Sequence, residues 1–243
     1  MRIATVHHWV RRIVMLGLIA AIVWAAWLYL KRRPEDLPWT PLRLDQPIGL
    51  FTGRKLAGLT QHRMTCLALV RETGLKFNEI EPRSGGQCPI PDAIRVAEGQ
   101  AMLALSPAKV APSCPVVAGL AMWQWQVVEP AAQRIFGASV KRIDHYGSFA
   151  CRRMYGRETG DWSEHAAADA IDVSGFTLGD GRHIRVAADW GSDGKKAAFL
   201  REVRDGACKL FSTVLSPDYN AQHRDHLHLD QAERGEYGWR ACR

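Results

Sequence analysis

Residues 13–30 form eighteen consecutive apolar or small positions with no polar face at either helical or strand spacing. At 1.5 Å per residue such a run reaches roughly 27 Å as a helix, close to the hydrocarbon thickness of a bilayer. Arg11-Arg12 precede it and Lys31-Arg32-Arg33 follow, with Trp24, Trp27 and Tyr29 towards its end. The pattern predicts a membrane-spanning helix. No small-x-small cleavage site falls between the run and the following basic cluster, which favours an uncleaved anchor. Three Lys or Arg stand on each side, so charge alone does not orient it. Four prolines within 34–47 then predict a semi-stiff tether. The chain divides into an anchor with basic flanks (1–33), a Pro-rich tether (34–49) and one folded domain (50–243).

Within the domain, apolar spacing of 3.6 predicts helices over 60–72, 115–127, 130–136 and 195–211, the third closed by Gly137. Alternation predicts strands over 140–146, 170–178, 183–188 and 226–230, the middle two joined across Gly179-Asp180-Gly181. Hairpins mixed with helices predict an α+β domain: an antiparallel sheet with a metal site on one face and helices on the other.

The formal charge of +7 belongs to the anchor. The first 33 residues hold six basic and no acidic side chains, leaving 26 basic against 25 acidic beyond them. The folded part therefore lacks the electrostatic footprint of a nucleic-acid binder. Six cysteines, all after the anchor and with no C-x-x-C, predict three disulfides in an oxidising compartment, with sequential pairing (66–88, 114–151, 208–242) as the first expectation.

Four of the nine histidines fall in two segments, His223-Arg-Asp-His226-Leu-His228-Leu-Asp230 and Ser163-Glu-His165-Ala-Ala-Ala-Asp169-Ala-Ile-Asp172. On a strand, His226, His228 and Asp230 share one face while Leu227 and Leu229 point into the core. A catalytic zinc takes three protein ligands and keeps a fourth position open. His165, Asp172 and His228 provide that set.

Ser163-x-His165-x-x-Ala168-x-Ala170-x-Asp172 resembles the S-x-H-x-x-G-x-A-x-D signature of zinc D-Ala-D-Ala carboxypeptidases and dipeptidases, with Ala168 in place of the glycine. An alanine there carries a steric cost if the position needs a positive φ. His226-x-His228 is similar to the second motif of a wider group that includes lysostaphin-type endopeptidases and hedgehog-type domains. That resemblance implies zinc on His165, Asp172 and His228, and a supporting or transition-state role for His226. From about Cys66 to Cys242 the chain resembles the bacterial extensin-like C-terminal family, through Ser163-Glu-His-Ala, Asp172-Val-Ser-Gly-Phe, Asp189-Trp190 and Val214-Leu-Ser-Pro-Asp-Tyr-Asn220. The carboxypeptidases place a glutamate shortly before the last zinc histidine; this chain has Gln222, His223 and Asp225 there. His223-x-x-His226-x-His228 instead resembles the penicillin-insensitive murein endopeptidase. His223 is the first candidate general base and Asp225 the second. Arg152 occupies a place resembling the arginine that holds a substrate carboxylate or oxyanion.

Together these imply a zinc peptidase, more endopeptidase than carboxypeptidase, anchored by one helix in the cytoplasmic membrane with its domain in the periplasm. Its substrate would be peptidoglycan stem peptides, cut at a D-amino-acid linkage. Two other readings are a hedgehog-like binding module whose zinc only stabilises the fold, and a metal-free envelope-binding domain. Which regulatory protein partner would control such a hydrolase is unknown from the sequence.

Overall fold

A computed structural model describes residues 2–99, 103–235 and 239–243. It begins with α1 (Arg2–Arg32), which is long and apolar enough to cross a membrane. The polypeptide continues through α2 (Thr52–Ala57), α3 (Arg63–Glu72), β1 (Phe77–Glu79), β2 (Ile94–Val96), β3 (Leu105–Ser106), α4 (Cys114–Trp123) and α5 (Glu129–Phe136). Then come β4 (Val140–Gly147), β5 (Ala170–Leu178), β6 (His183–Arg185), α6 (Val186–Asp189), α7 (Lys195–Ala207), β7 (Thr213–Leu215), β8 (Leu227–Asp230) and β9 (Ala241–Cys242).

The expected α+β class holds, but the sheet is mixed rather than antiparallel. Its seven strands run β3-β4-β5-β8-β7-β9, with β6 also on β5, and both β3–β4 and β7–β9 are parallel. Each parallel partner is only two residues long, too short to show periodicity. The segment 183–188 is a strand only to Arg185; Arg185 N–H then donates to the Asp189 carboxylate and the chain turns into α6.

β5 is the central strand. Its first half pairs with β8 and its second half with β6. Against β4, Val173 pairs with His145 and Gly175 with Asp144, so Ser174 is an extra residue that reverses which side chains face inward. Ile171 and Val173 are buried before it, Phe176 and Leu178 after it. Gly175 is required at this point because a Cβ would lie 2.3 Å from the Ile184 carbonyl oxygen of β6.

The helices supply the other half of the core. Every residue of α4 is buried; Trp123 tilts against Phe176 and donates its indole N–H to the Val203 carbonyl of α7. Leu227 and Leu229 of β8 join this core. A Ser113 hydroxyl caps α4, and Gly137 closes α5 in the left-handed conformation.

All six cysteines are paired. Cys208–Cys242 is as expected, but the other two bridges are Cys66–Cys114 and Cys88–Cys151, not the sequential pairs. The first ties α3 to the start of α4. The second ties the loop before β2 to the loop after β4.

Candidate metal centre

His165 lies on a single 3-10 turn, Glu164–Ala167, whose start is set by the Ser163 side chain accepting from His165 N–H. Ala168 ends the turn with φ 58° and ψ 18°, the left-handed geometry that the alanine-for-glycine departure put in question. The chain then enters β5, where Asp172 stands directly across the ladder from His228 on β8. The strand alternation is as expected: Leu227 and Leu229 face the core while His228 and Asp230 face the site.

Three ligating atoms converge. His165 Nε2 is 3.2 Å from Asp172 Oδ1 and 3.1 Å from His228 Nδ1, and the latter two are 3.0 Å apart. The outer partners fix the proton on each ring. His165 Nδ1–H donates to the Ser148 carbonyl at 2.8 Å, and His228 Nε2–H to the Asp230 carboxylate at 3.2 Å. A carbonyl and a carboxylate only accept, so each imidazole turns a bare lone pair inward. Two such nitrogens and a carboxylate oxygen repel one another unless a proton or a metal cation sits between them. Tetrahedral zinc with ligands near 2.1 Å would set donor–donor edges of about 3.4 Å, close to this triangle. His165, Asp172 and His228 are thus a donor set that could hold a metal ion.

The electrostatics agree. Burial raises Asp172, but the two histidines outweigh it and hold the carboxyl well below its usual range. Burial likewise lowers His228, yet Asp172 and Asp230 raise it to about 9. The site demands positive charge.

A model of the family described as extensin-like protein C-terminus matches residues 64–243. The chain belongs to this family. No curated protein and no solved structure matches it.

Around the triangle, the extensin-like domain opens a cleft of about 710 Å³. His226 Nε2 is 3.4 Å from Asp172 Oδ1, and its Nδ1–H donates to Asp225 at 2.9 Å, so Asp225 orients His226 instead of facing the triangle itself. His223 is buried on a short turn, with Nδ1–H donating to Asn220 Oδ1 at 2.7 Å and its ring centre 5.2 Å from that of His226. Burial, then the neighbouring His228 and His226, lower it to about 4. Arg152 lines the cleft and makes no side-chain hydrogen bond or ion pair among the described residues.

The sequence reading assigned no role to three contributors. Asp230 orients His228, and its place two residues further along the strand was the available signal. The Ser148 carbonyl orients His165, a main-chain role that leaves no signature. Glu164 lines the cleft and is raised by burial, then by Asp230. Beneath the turn that carries His165 lie two buried carboxyls: Asp169 accepts from the Ser113 hydroxyl, and Asp92 has an oxygen without a partner. Burial raises both, Asp92 to about 6.

Proposed function

We propose that this extensin-like domain is a zinc-dependent peptidase acting on peptidoglycan stem peptides at a D-amino-acid linkage, held in the cytoplasmic membrane by α1 with its domain in the periplasm. The observation carrying the metal reading is the triangle of three inward lone pairs, with both imidazole tautomers set from outside. Zinc bound there would supply Lewis acidity to a scissile carbonyl and to water. The peptide specificity rests on the motif resemblance together with an open cleft large enough for a short peptide.

The protein's own residues would handle protons and orientation. His226, with Nδ1–H committed to Asp225, presents a bare Nε2 to the cleft, where it can accept a proton from water and return it to the leaving amine. His223 is the less suitable base, because a group lowered to about 4 drives proton abstraction weakly at neutral pH. Arg152 offers a planar fork to a substrate carboxylate or developing oxyanion. The disulfides and the spanning-length helix support the extracytoplasmic placement.

One observation favours a second reading. With no glutamate before His228 and His223 Nδ1 committed to Asn220, the metal would serve only to clamp β5 to β8, as in a hedgehog-like binding module. Mass spectrometry of muropeptides incubated with the zinc-loaded protein decides. New cleavage products that vanish in His228→Ala support the peptidase; stoichiometric zinc with every muropeptide intact supports the module.

A further inference from the structure

Outside α1, the three most exposed large apolar side chains among the described residues are Trp239, Leu50 and Trp39, at 90, 79 and 75 %. Trp39 and Leu50 lie in the stretch that follows α1, and Trp239 adjoins Arg240, which the fold brings against Gly53. The 34–49 stretch does not hang free. Glu35, Asp36 and Leu44 are buried against the domain within a few residues of Arg32.

Hydrogen bonds fix the arrangement. The Thr40 hydroxyl donates to the Leu37 carbonyl at 3.0 Å and also reaches the Pro34 carbonyl, which closes the segment carrying Trp39 into a turn directly after the helix. Lys55 Nζ of α2 donates to the same Thr40 hydroxyl at 3.0 Å, and Leu50 N–H donates to Asp36 Oδ1 at 2.9 Å. Leu50 and Gly53 share a small cleft with Arg240, whose guanidinium covers Gly53 and donates to the Phe211 carbonyl at 2.7 Å. Trp239 immediately precedes Arg240 in the chain and is exposed.

Charge is sorted over this edge. The acids are turned inward or engaged, Asp36 by Leu50 N–H, Glu35 by Arg33 and Asp45 by Arg43. Lys31, Arg32 and Arg54 are exposed. Tryptophan beside basic residues at the end of an apolar helix is the composition suited to the headgroup layer of a bilayer.

We infer that this edge, built on Trp39, Leu50 and Trp239 with Lys31, Arg32 and Arg54, lies in the headgroup region of the membrane that α1 spans and docks the domain on anionic lipid. The inference rests on reading α1 as a membrane span. Continuity argues for lipid over a protein partner, because Leu50 and Thr40, the neighbour of Trp39, are tied by hydrogen bonds to residues 34–37, directly after the helix. The small cleft shares Ala232 and Arg234 with the candidate metal centre, so docking would set that centre beside the bilayer instead of out in the envelope.

The test places a photoreactive p-benzoylphenylalanine at Trp39, Leu50 or Trp239 of the full chain in vesicles of phosphatidylglycerol and phosphatidylcholine. Position 19, inside α1, and position 146, where Tyr146 is 61 % exposed on β4, serve as references. Lipid adducts at 39, 50 and 239 as at 19, with none at 146, are the expected result. Adducts at 19 alone overturn the docking while leaving the span intact. No lipid adduct at 19 removes the span and the docking with it. Protein–protein adducts at 39, 50 and 239 also overturn it, in favour of a second copy of the chain.

Discussion

Asp230→Asn isolates the proton-fixing role from the ligands themselves. In the folded chain both carboxylate oxygens accept: Oδ2 from His228 Nε2–H at 3.2 Å and Oδ1 from Ala232 N–H at 3.0 Å. Asparagine has one acceptor and one donor end, so it can keep one of these bonds but not both, and the site is buried enough that water will not repair the loss. A hydrogen bond to a charged group contributes about 1.5–3 kcal/mol. At about 1.4 kcal/mol per tenfold change, the zinc dissociation constant should rise roughly 10–100-fold, the range found when an outer partner of a metal-bound histidine is removed. Competition against a chromophoric chelator measures it, with circular dichroism confirming an intact fold. An unchanged dissociation constant would refute the claim that Asp230 sets the His228 tautomer. An unmodified chain that binds no zinc would refute the donor triangle altogether.

Other expectations follow from the same geometry. His226→Ala should retain zinc and lose muropeptide hydrolysis by about 10²–10⁴-fold, with Asp225→Asn milder and His223→Ala less damaging than His226→Ala; steady-state rates that rank His223 first would restore it as the base. Replacing Cys208 and Cys242 together by serine opens a loop of sequence separation 34 and should cost about 3–4 kcal/mol in urea unfolding. Asp92 holds its proton up to about pH 6 in the folded chain but only to about 4 when unfolded, so its contribution is complete below pH 4 and is lost as pH rises to 6. Asp92→Asn should therefore flatten the pH dependence of the melting temperature and recover about 3 kcal/mol at pH 7; a parallel curve displaced at every pH would contradict this.

The parts legible in the sequence are those governed by local periodicity. The apolar run of α1, the limits of β5 at Ala170 and Leu178, and the inward Leu227 and Leu229 all follow from side-chain spacing alone. The three candidate donors could be named because His165 and Asp172 belong to one local unit and His228 to an alternating strand. What alternation cannot give is register, and it is register that puts Asp172 opposite His228. The Cys66–Cys114 and Cys88–Cys151 bridges, the parallel pairing of β3 and β9, and the burial of Glu35 and Asp36 depend on chain segments meeting across the domain. The inward turn of His223 was illegible for a similar reason: it is set by the side chain of Asn220, which carries no periodic signal.

Ala168 shows how the domain tolerates a departure at the position where the similar zinc signature has glycine. A left-handed alanine costs about 1–2 kcal/mol. Its methyl is fully buried with Ile90 and Ala93, and burying one carbon returns about 0.8 kcal/mol. Alanine also restricts the unfolded chain relative to glycine, which returns about 0.4–1 kcal/mol. The two gains offset the strain almost completely, so glycine is not required here as long as the pocket around Ile90 and Ala93 is present. That pocket is held by the Cys88–Cys151 bridge on one side and by the Ser113 N–H to Ala168 carbonyl bond on the other. The placement of His165 thus depends on the Cys88–Cys151 bridge, and reduction should loosen His165 before it loosens His228 on its paired strand.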